Sequence, residues 1–486
     1  MSSLLKNTHP KIKQDNDESL HHPSNIHKMP MMIIEIIKPD RPLEEDIRIN
    51  ALLNKIRSGG VISAPEETLQ VSEDIASAVK EIIDDVQARG DEAIIDWTKR
   101  IDKVELSREQ IRIAPEVIQQ AYDKADEDFL TIIRQSAENI RAYQREILIS
   151  SPAPLKRDGK ELSVKYTPIN RIGVYIPGGK AAYPSTVLMS VIPAQVAGVE
   201  QIALASPPMS NASVNPMVLA TAAELGISEI YTGAAVAILA AMAFGTETIP
   251  PVDMIVGPGN AYVAQAKRQL FGKVGIDSIA GPSEILIIAD ETAHAEIIAA
   301  DMLAQVEHDP GVAILITTSE NLAREVENAL EVQVQDLPRK EAIKSALRRY
   351  SAIIIVPDIE AACELTDKFA PEHLEIIAAD AEAVQSKVRN AGAIFIGTHS
   401  AVSMGDYYAG PSHVLPTAGA ARFASPLSCN TFLKATSIIK YESEGFLEEA
   451  DDVINFARCE GLDAHARAVE IRKQIAYKSN GESRSK

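Results

Sequence analysis

The sequence predicts an α/β protein with two doubly wound, Rossmann-like units of parallel strands, a helical N-terminal region and a separate C-terminal tail. Three observations carry the prediction. After Arg171, short apolar runs alternate with helical segments of about ten residues or more, the pattern of right-handed βαβ units. The alternation then occurs a second time. Glycine-rich turns also stand where strands give way to helices, at the strand ends where parallel sheets collect ligands.

In chain order, residues 1–30 are polar, with His9, His21, His22 and His27 among Asn, Ser and Asp, and read as a disordered extension. Met31 or Met32 is a candidate start. From Ser72, a candidate N-cap, Ile75, Val79, Ile82 and Val86 recur at helical spacing and Gly90 stops the run. A second helical stretch covers 130–143. Strands are expected at 172–176, 201–205, 229–231 and 252–256, then at 285–289, 312–317, 352–356 and 393–396. After Phe432 the chain reads as irregular and then helical. The division that follows is a main α/β domain over 31–170 plus 286–425, a second α/β domain over 171–285 and a tail over 426–486.

Composition excludes some classes. A chain of 486 residues that is 46% hydrophobic can build two or more cores. A net charge of −20 without a basic stripe argues against nucleic acid as a partner. The apolar stretch around 234–245 is too short to span a bilayer, so no membrane role is expected. Cys363, Cys429 and Cys459 are an odd number without paired spacing, which fits a reducing cytoplasm.

Several residues could carry chemistry. Pro177-Gly178-Gly179 and Gly257-Pro258-Gly259-Asn260 each follow a strand and precede a helix, but neither is an intact G-x-G-x-x-G fingerprint. Taken alone, each is an ordinary turn as readily as a cofactor loop. His308 is expected on a helix from about Ala293, with Gln305 and Asp301 on the same face. Asp301 has no evident task there beyond a solvated or capping carboxylate. Glu372-His373 places an acid beside an imidazole, the side chain that titrates nearest neutrality.

Four separated segments occur in the order of one known family: Ile276 through Glu284 with its Gly-Pro-Ser-Glu, Gln305 through His308, Pro371-Glu372-His373, and Asp406 through Thr417. From about Met32 to about Lys473 the chain resembles histidinol dehydrogenase, a zinc- and NAD-dependent enzyme of histidine synthesis. The resemblance implies two incomplete Rossmann-like domains, with NAD on the domain over 171–285, and a homodimer whose C-terminal tail packs on the partner. It implies zinc ligands at Gln305, His308, Asp406 and His465, the last supplied by the opposite subunit. His373 would take protons in both oxidations of histidinol, and Glu372 would activate water in the second. Substrate contacts are implied at Ser283, Gln305, His308, Glu372, His373, Asp406, His413, Glu460 and His465.

Cofactor contacts are implied at Tyr175 and Asn260. The family's third cofactor position is a Gln in Gly-Gly-Ala-Gln, which we place at Ala237 in this chain's Gly233-Ala-Ala-Val-Ala237. Ser412 stands where the family commonly has Asn before His413. Three functions follow in order of support: L-histidinol oxidised to L-histidine through the aldehyde with two NAD, oxidation of another small primary alcohol in the same fold, and a non-catalytic zinc-binding dimer. A thiol route through Cys459 is disfavoured because neighbouring Glu460 would raise its pKa, so all three cysteines are expected to pack.

Overall fold

The structure is a computed structural model that describes residues 33–57, 65–178, 182–308 and 311–479. The expected disordered extension, its histidines, the candidate start residues and Gly179 lie outside them. Two parallel sheets form the body. The smaller runs Ile230–Thr232, Gln201–Ser206, Arg171–Tyr175, Met254–Val256 and Gly275–Ile276 from edge to edge. Numbered along the chain, that order is 3-2-1-4-5, a doubly wound arrangement one strand short of the six-stranded Rossmann form.

The larger sheet repeats the winding. Its order is Glu35–Ile37, Ala352–Ile355, Gly311–Thr317, Ser283–Ala289, His373–Ile377 and Ala393–Ile396. Without the N-terminal edge strand it again reads 3-2-1-4-5. The eight strands expected from apolar runs are all present, within about two residues at their ends. Two strands of the larger sheet had no such forecast, Glu35–Ile37 and His373–Ile377.

The N-terminal helices differ from expectation in where they start and what they cover. The first long helix begins at Pro65, not after Ser72, because proline's fixed φ suits the opening turn of a helix. It ends at Arg89, and Gly90 breaks the chain with φ +58 before the helix Asp91–Ile101. The helix Glu127–Glu146 is capped by Asp126, whose side chain accepts from the backbone of Asp128 and Phe129. The sequence grouped this region with the larger sheet. Instead Val79, Ile82, Val86, Ile94 and Trp97 share a core with Ala203, Tyr231 and Ile255, and Ile133 and Ile140 share one with Ile172 and Val174, all on the smaller sheet.

After Phe432 the chain is not irregular. Leu433–Tyr441 pairs antiparallel with Lys160–Pro168 along its full length. Two helices follow, Ser443–Cys459 and Asp463–Ser479. Within one chain this arm leaves apolar side chains uncovered, Ile439 at 69% and Phe456 at 68% exposure, with Ile438, Val453, Ile471 and Ile475 also exposed. No described helix is long and apolar enough to cross a membrane.

Candidate active site

The site residues gather at the amino edge of the larger sheet, not at the carboxyl edge where ligands of such sheets usually bind. Ser283 and His373 are the first residues of adjacent parallel strands, His373 opposite Ile285. Helices antiparallel to those strands end at the same edge, so Gln305, one residue from the end of the helix Ala295–Val306, arrives beside Ser283. His308 is not on that helix as expected but on the turn beyond it, and it is exposed.

Local backbone features set the Glu372-His373 pair. The helix Ile359–Phe369 ends on Ala370, a buried alanine with φ +48, which turns the chain at once into Pro371. A non-glycine residue in that region costs on the order of 1 kcal/mol and persists only where packing enforces it. Gly392 lets the neighbouring strand approach, since a Cβ there would sit 2.5 Å from the Glu372 carbonyl oxygen. Asp406 lies in a single turn of π-helix, Gly405–Ala409, a distortion often found at functional sites. Ser136 and Asn139 donate to the carbonyls of Tyr407 and Tyr408, fixing that turn to a helix of the smaller sheet's layer.

Glu372 is 7% exposed and its Oε2 accepts from Ser283 Oγ at 2.9 Å and from Glu284 N at 2.9 Å. Gln305 Nε2 in turn donates to Ser283 Oγ. His373 is 3% exposed, with Nδ1 3.0 Å from the Glu284 carbonyl oxygen and 3.5 Å from Glu372 Oε2. Its Nε2 lies 3.7 Å from Asp406 Oδ1 and makes no hydrogen bond, so a buried imidazole nitrogen is held free beside a carboxylate. In the neutral ring, with Nδ1 donating to the carbonyl, the lone pair falls on Nε2. His413 joins the cluster, with Nδ1 2.9 Å from the Asp406 carbonyl oxygen and Nε2 3.5 Å from Thr186 Oγ1.

Charge and burial oppose each other here. Burial disfavours an imidazolium at His373, but Glu372 and Asp406 outweigh it and push the group up to about 9. Burial likewise resists ionisation of Asp406, yet His373, His413 and His308 hold its carboxyl below the usual range. Burial raises Glu372 and lowers His413.

Other expected residues fall elsewhere. Tyr175 ends its strand but its ring is 3% exposed within the core, and Asn260 spends its side chain capping the helix Ala261–Leu270. Ala237 is fully buried inside the helix Ala235–Phe244 and offers a cofactor no surface. Counted from Gly233, the fourth residue of the segment is Val236, itself only 3% exposed. Glu460 and His465 are exposed on the C-terminal arm and make no hydrogen bond or ion pair with Gln305, His308 or Asp406. Ser412 is buried and donates to the Met189 carbonyl oxygen at 3.1 Å, a structural bond in place of a wall of the site. Cys363 and Cys429 pack in cores as expected, whereas Cys459 is exposed.

Sequence reasoning missed Glu284 and Glu375 and misread Asp301. Glu284, the last residue of the Gly-Pro-Ser-Glu segment, is 4% exposed, accepts from Ala418 N, and is pushed up by burial to about 8. Asp301 is not a solvated carboxylate. It faces Glu375, which is fully buried two residues beyond His373, and burial raises both carboxyls, neither of which has an ion pair among the described residues. Burial therefore holds the Glu375 carboxyl protonated and uncharged inside the core. The signal in the sequence was a lone Glu within the apolar run Leu374–Ile377.

Among the described residues, no three His, Cys, Asp or Glu side chains converge as a metal-holding group. His308 and Asp406 supply two donors, and Gln305, with its amide nitrogen given to Ser283, keeps its carbonyl oxygen as a third. A profile of the histidinol dehydrogenase family matches residues 66–473. Histidinol dehydrogenase of Geobacillus kaustophilus is 47% identical over 421 residues, 86% of this chain and 98% of that protein. Its counterpart in Bacillus subtilis is 47% identical over 404 residues, 83% of this chain and 94% of that protein. The crystal structure of histidinol dehydrogenase from Elizabethkingia anophelis superposes with a TM-score of 0.84 at 34% identity, covering 93% of this chain and all of that one (100%).

Proposed function

Because the chain belongs to the histidinol dehydrogenase family, we propose that it oxidises L-histidinol to L-histidine through L-histidinaldehyde, using two NAD and one zinc per subunit. The observation that carries the reading is His373 Nε2, buried, free of hydrogen bonds and flanked by Asp406 and Glu372. A substrate hydroxyl placed there meets a base in a dry site, where proton transfer is most effective.

In the first half-reaction His373 takes the hydroxyl proton as the carbinol carbon gives up a hydride, leaving the aldehyde. Water then adds to the aldehyde carbon, with Glu372 accepting its proton while the protonated His373 gives the alcohol's proton to the carbonyl oxygen, which forms the hydrate and leaves His373 neutral again. Ser283 Oγ and Glu284 N, both on the same Glu372 oxygen, fix which carboxylate edge faces the water. His373 takes a hydroxyl proton of the hydrate as the hydrate loses its hydride and becomes the carboxylic acid, which ionises to the carboxylate by giving its proton to solvent. NAD supplies the acceptor for both hydrides. Gln305, His308 and Asp406 of one subunit, with the partner subunit's His465, would form a two-nitrogen, two-oxygen set suited to zinc. Bound there, zinc would orient the amino and imidazole nitrogens of histidinol, lowering the entropic part of the barrier.

Withdrawing the Asp406 charge into a metal site would also lower the basicity that Asp406 gives His373, which favours the neutral base at working pH. The uncovered apolar face of the C-terminal arm supports the dimer on which the fourth ligand depends. The protein is tested with histidinol, zinc and excess NAD by NADH absorbance. Two NADH per histidinol support the reading, and no turnover or a single NADH per histidinol contradicts it.

A further inference from the structure

The ion pair between Lys267 and Asp277 is nearly inaccessible, its side chains 2% and 3% exposed. A buried pair of this kind seldom adds net stability, because the desolvation of both charges offsets their attraction. What it can provide is a fixed geometry, and here the geometry centres on one residue. Gly257 N donates to Asp277 Oδ2 at 2.8 Å, and the Gly257 carbonyl oxygen accepts from Lys267 Nζ. Lys267 Nζ and Asp277 Oδ1 are 2.5 Å apart, with the Ser278 carbonyl oxygen 3.5 Å away. Both polar groups that Gly257 shows the chain are therefore held by the two members of one ion pair.

Gly257 is the point where the smaller sheet reverses its strand order. It follows the strand Met254–Val256 and lies against the end of Arg171–Tyr175, the two strands that flank the switch point. With φ +114, and with a Cβ position only 2.1 Å from the Tyr175 carbonyl oxygen, no other residue fits there. Asp277 opens the segment that crosses to Ser283 and the larger sheet, and Gly281 N in that segment is tied to Thr417 Oγ1. One ion pair thus joins the loop 257–260, the switch point and the first residues of the crossing to the catalytic strand.

We propose that Lys267 and Asp277 are positioning residues that hold the loop Gly257–Asn260 and the crossing 277–283 in one arrangement, so that a dinucleotide over the smaller sheet presents its nicotinamide to substrate at His373. The inference rests on reading that loop as a cofactor contact. Neither side chain touches the reacting atoms. Their effect falls on cofactor affinity and alignment, because Ser283 at the far end of the crossing is held separately by Glu372 and Gln305, which keeps the binding of histidinol and metal in place.

The test is the zinc-loaded protein with Lys267→Met plus Asp277→Leu, which fills the same space without charge, and with Asp277→Asn, which keeps an acceptor for Gly257 N. NAD binding is measured directly by calorimetric titration, alongside zinc content, histidinol binding, melting temperature and the kcat and KM for NAD. The expected result is NAD affinity weakened by roughly tenfold or more in both variants, with zinc content and histidinol binding unchanged and the double variant melting close to wild type. If the double variant does not accumulate as folded protein, Asp277→Asn gives the same readout. Unaltered NAD affinity and kcat in whichever variant folds would overturn the positioning role alone. A wild-type protein that binds no NAD would overturn the cofactor reading, and the positioning role with it.

Discussion

Glu284→Gln removes a single buried titratable carboxyl from the heart of the site, and the structure gives its consequence a sign. Burial lifts the Glu284 carboxyl from an ordinary 4.5 to about 8, and nearby Glu372 adds to the lift. The folded protein therefore binds this proton more tightly than the unfolded chain. The associated stability is complete below about pH 4.5 and is lost as pH rises through about 8. At roughly 1.4 kcal/mol for each pH unit, the interval caps the loss at a few kcal/mol. Gln keeps an oxygen for Ala418 N and cannot ionise, so it is spared this loss. Melting temperatures of both proteins, measured at fixed concentration from mildly acidic to alkaline pH, should diverge as pH rises, with Glu284→Gln gaining on wild type. Parallel curves would show that Glu284 ionises as easily in the folded protein as outside it, and the reasoning would fail.

Three further outcomes follow from the same geometry. His373→Asn keeps much of the side chain's shape and removes the free nitrogen, so both half-reactions should slow by roughly 100-fold or more while zinc content holds. Loss of zinc in that variant would make His373 a structural residue. Glu372→Gln should spare alcohol oxidation more than aldehyde oxidation, since only the second half needs an activated water, and equal losses in separate assays of each half would refute that division. His308→Ala removes one nitrogen donor, and elemental analysis should find far less zinc than the one per subunit expected of wild type; unchanged metal content would remove His308 from the ligand set.

Much of this was legible in the sequence, for physical reasons that particular residues show. Strands buried on both faces, such as Val312–Thr317, are continuous apolar runs, and the βαβ rhythm that places them in sheets needs no long-range information. The strand His373–Ile377 escaped because Glu375 interrupts its apolar run, and burial that keeps this carboxyl protonated is a consequence of the fold that no local pattern encodes. Leu433–Tyr441 escaped because neither of its faces is buried within one chain, so no alternation marks it; its partner strand lies far back at Lys160–Pro168. The edge of the larger sheet that carries the site had no sequence signal either. At the amino edge of the larger sheet, Gly281 and Glu284 meet Thr417 and Ala418 only through the fold, contacts that no local pattern encodes. Gln305 was beyond bottom-up reasoning, since an amide is a rare zinc ligand; the family resemblance alone nominated it.

The central claim is that the working site is shared, with His308 of one subunit and His465 of the other. Mixing inactive His308→Ala protein with inactive His465→Ala protein tests it most directly. A two-fold heterodimer of these variants has one site with both lesions and one with neither. Once subunits exchange, activity should rise from near zero toward about half of wild type per heterodimer. If the C-terminal arm instead folds back on its own chain, every site carries one lesion. No mixture would then regain activity, even after the two proteins are refolded together.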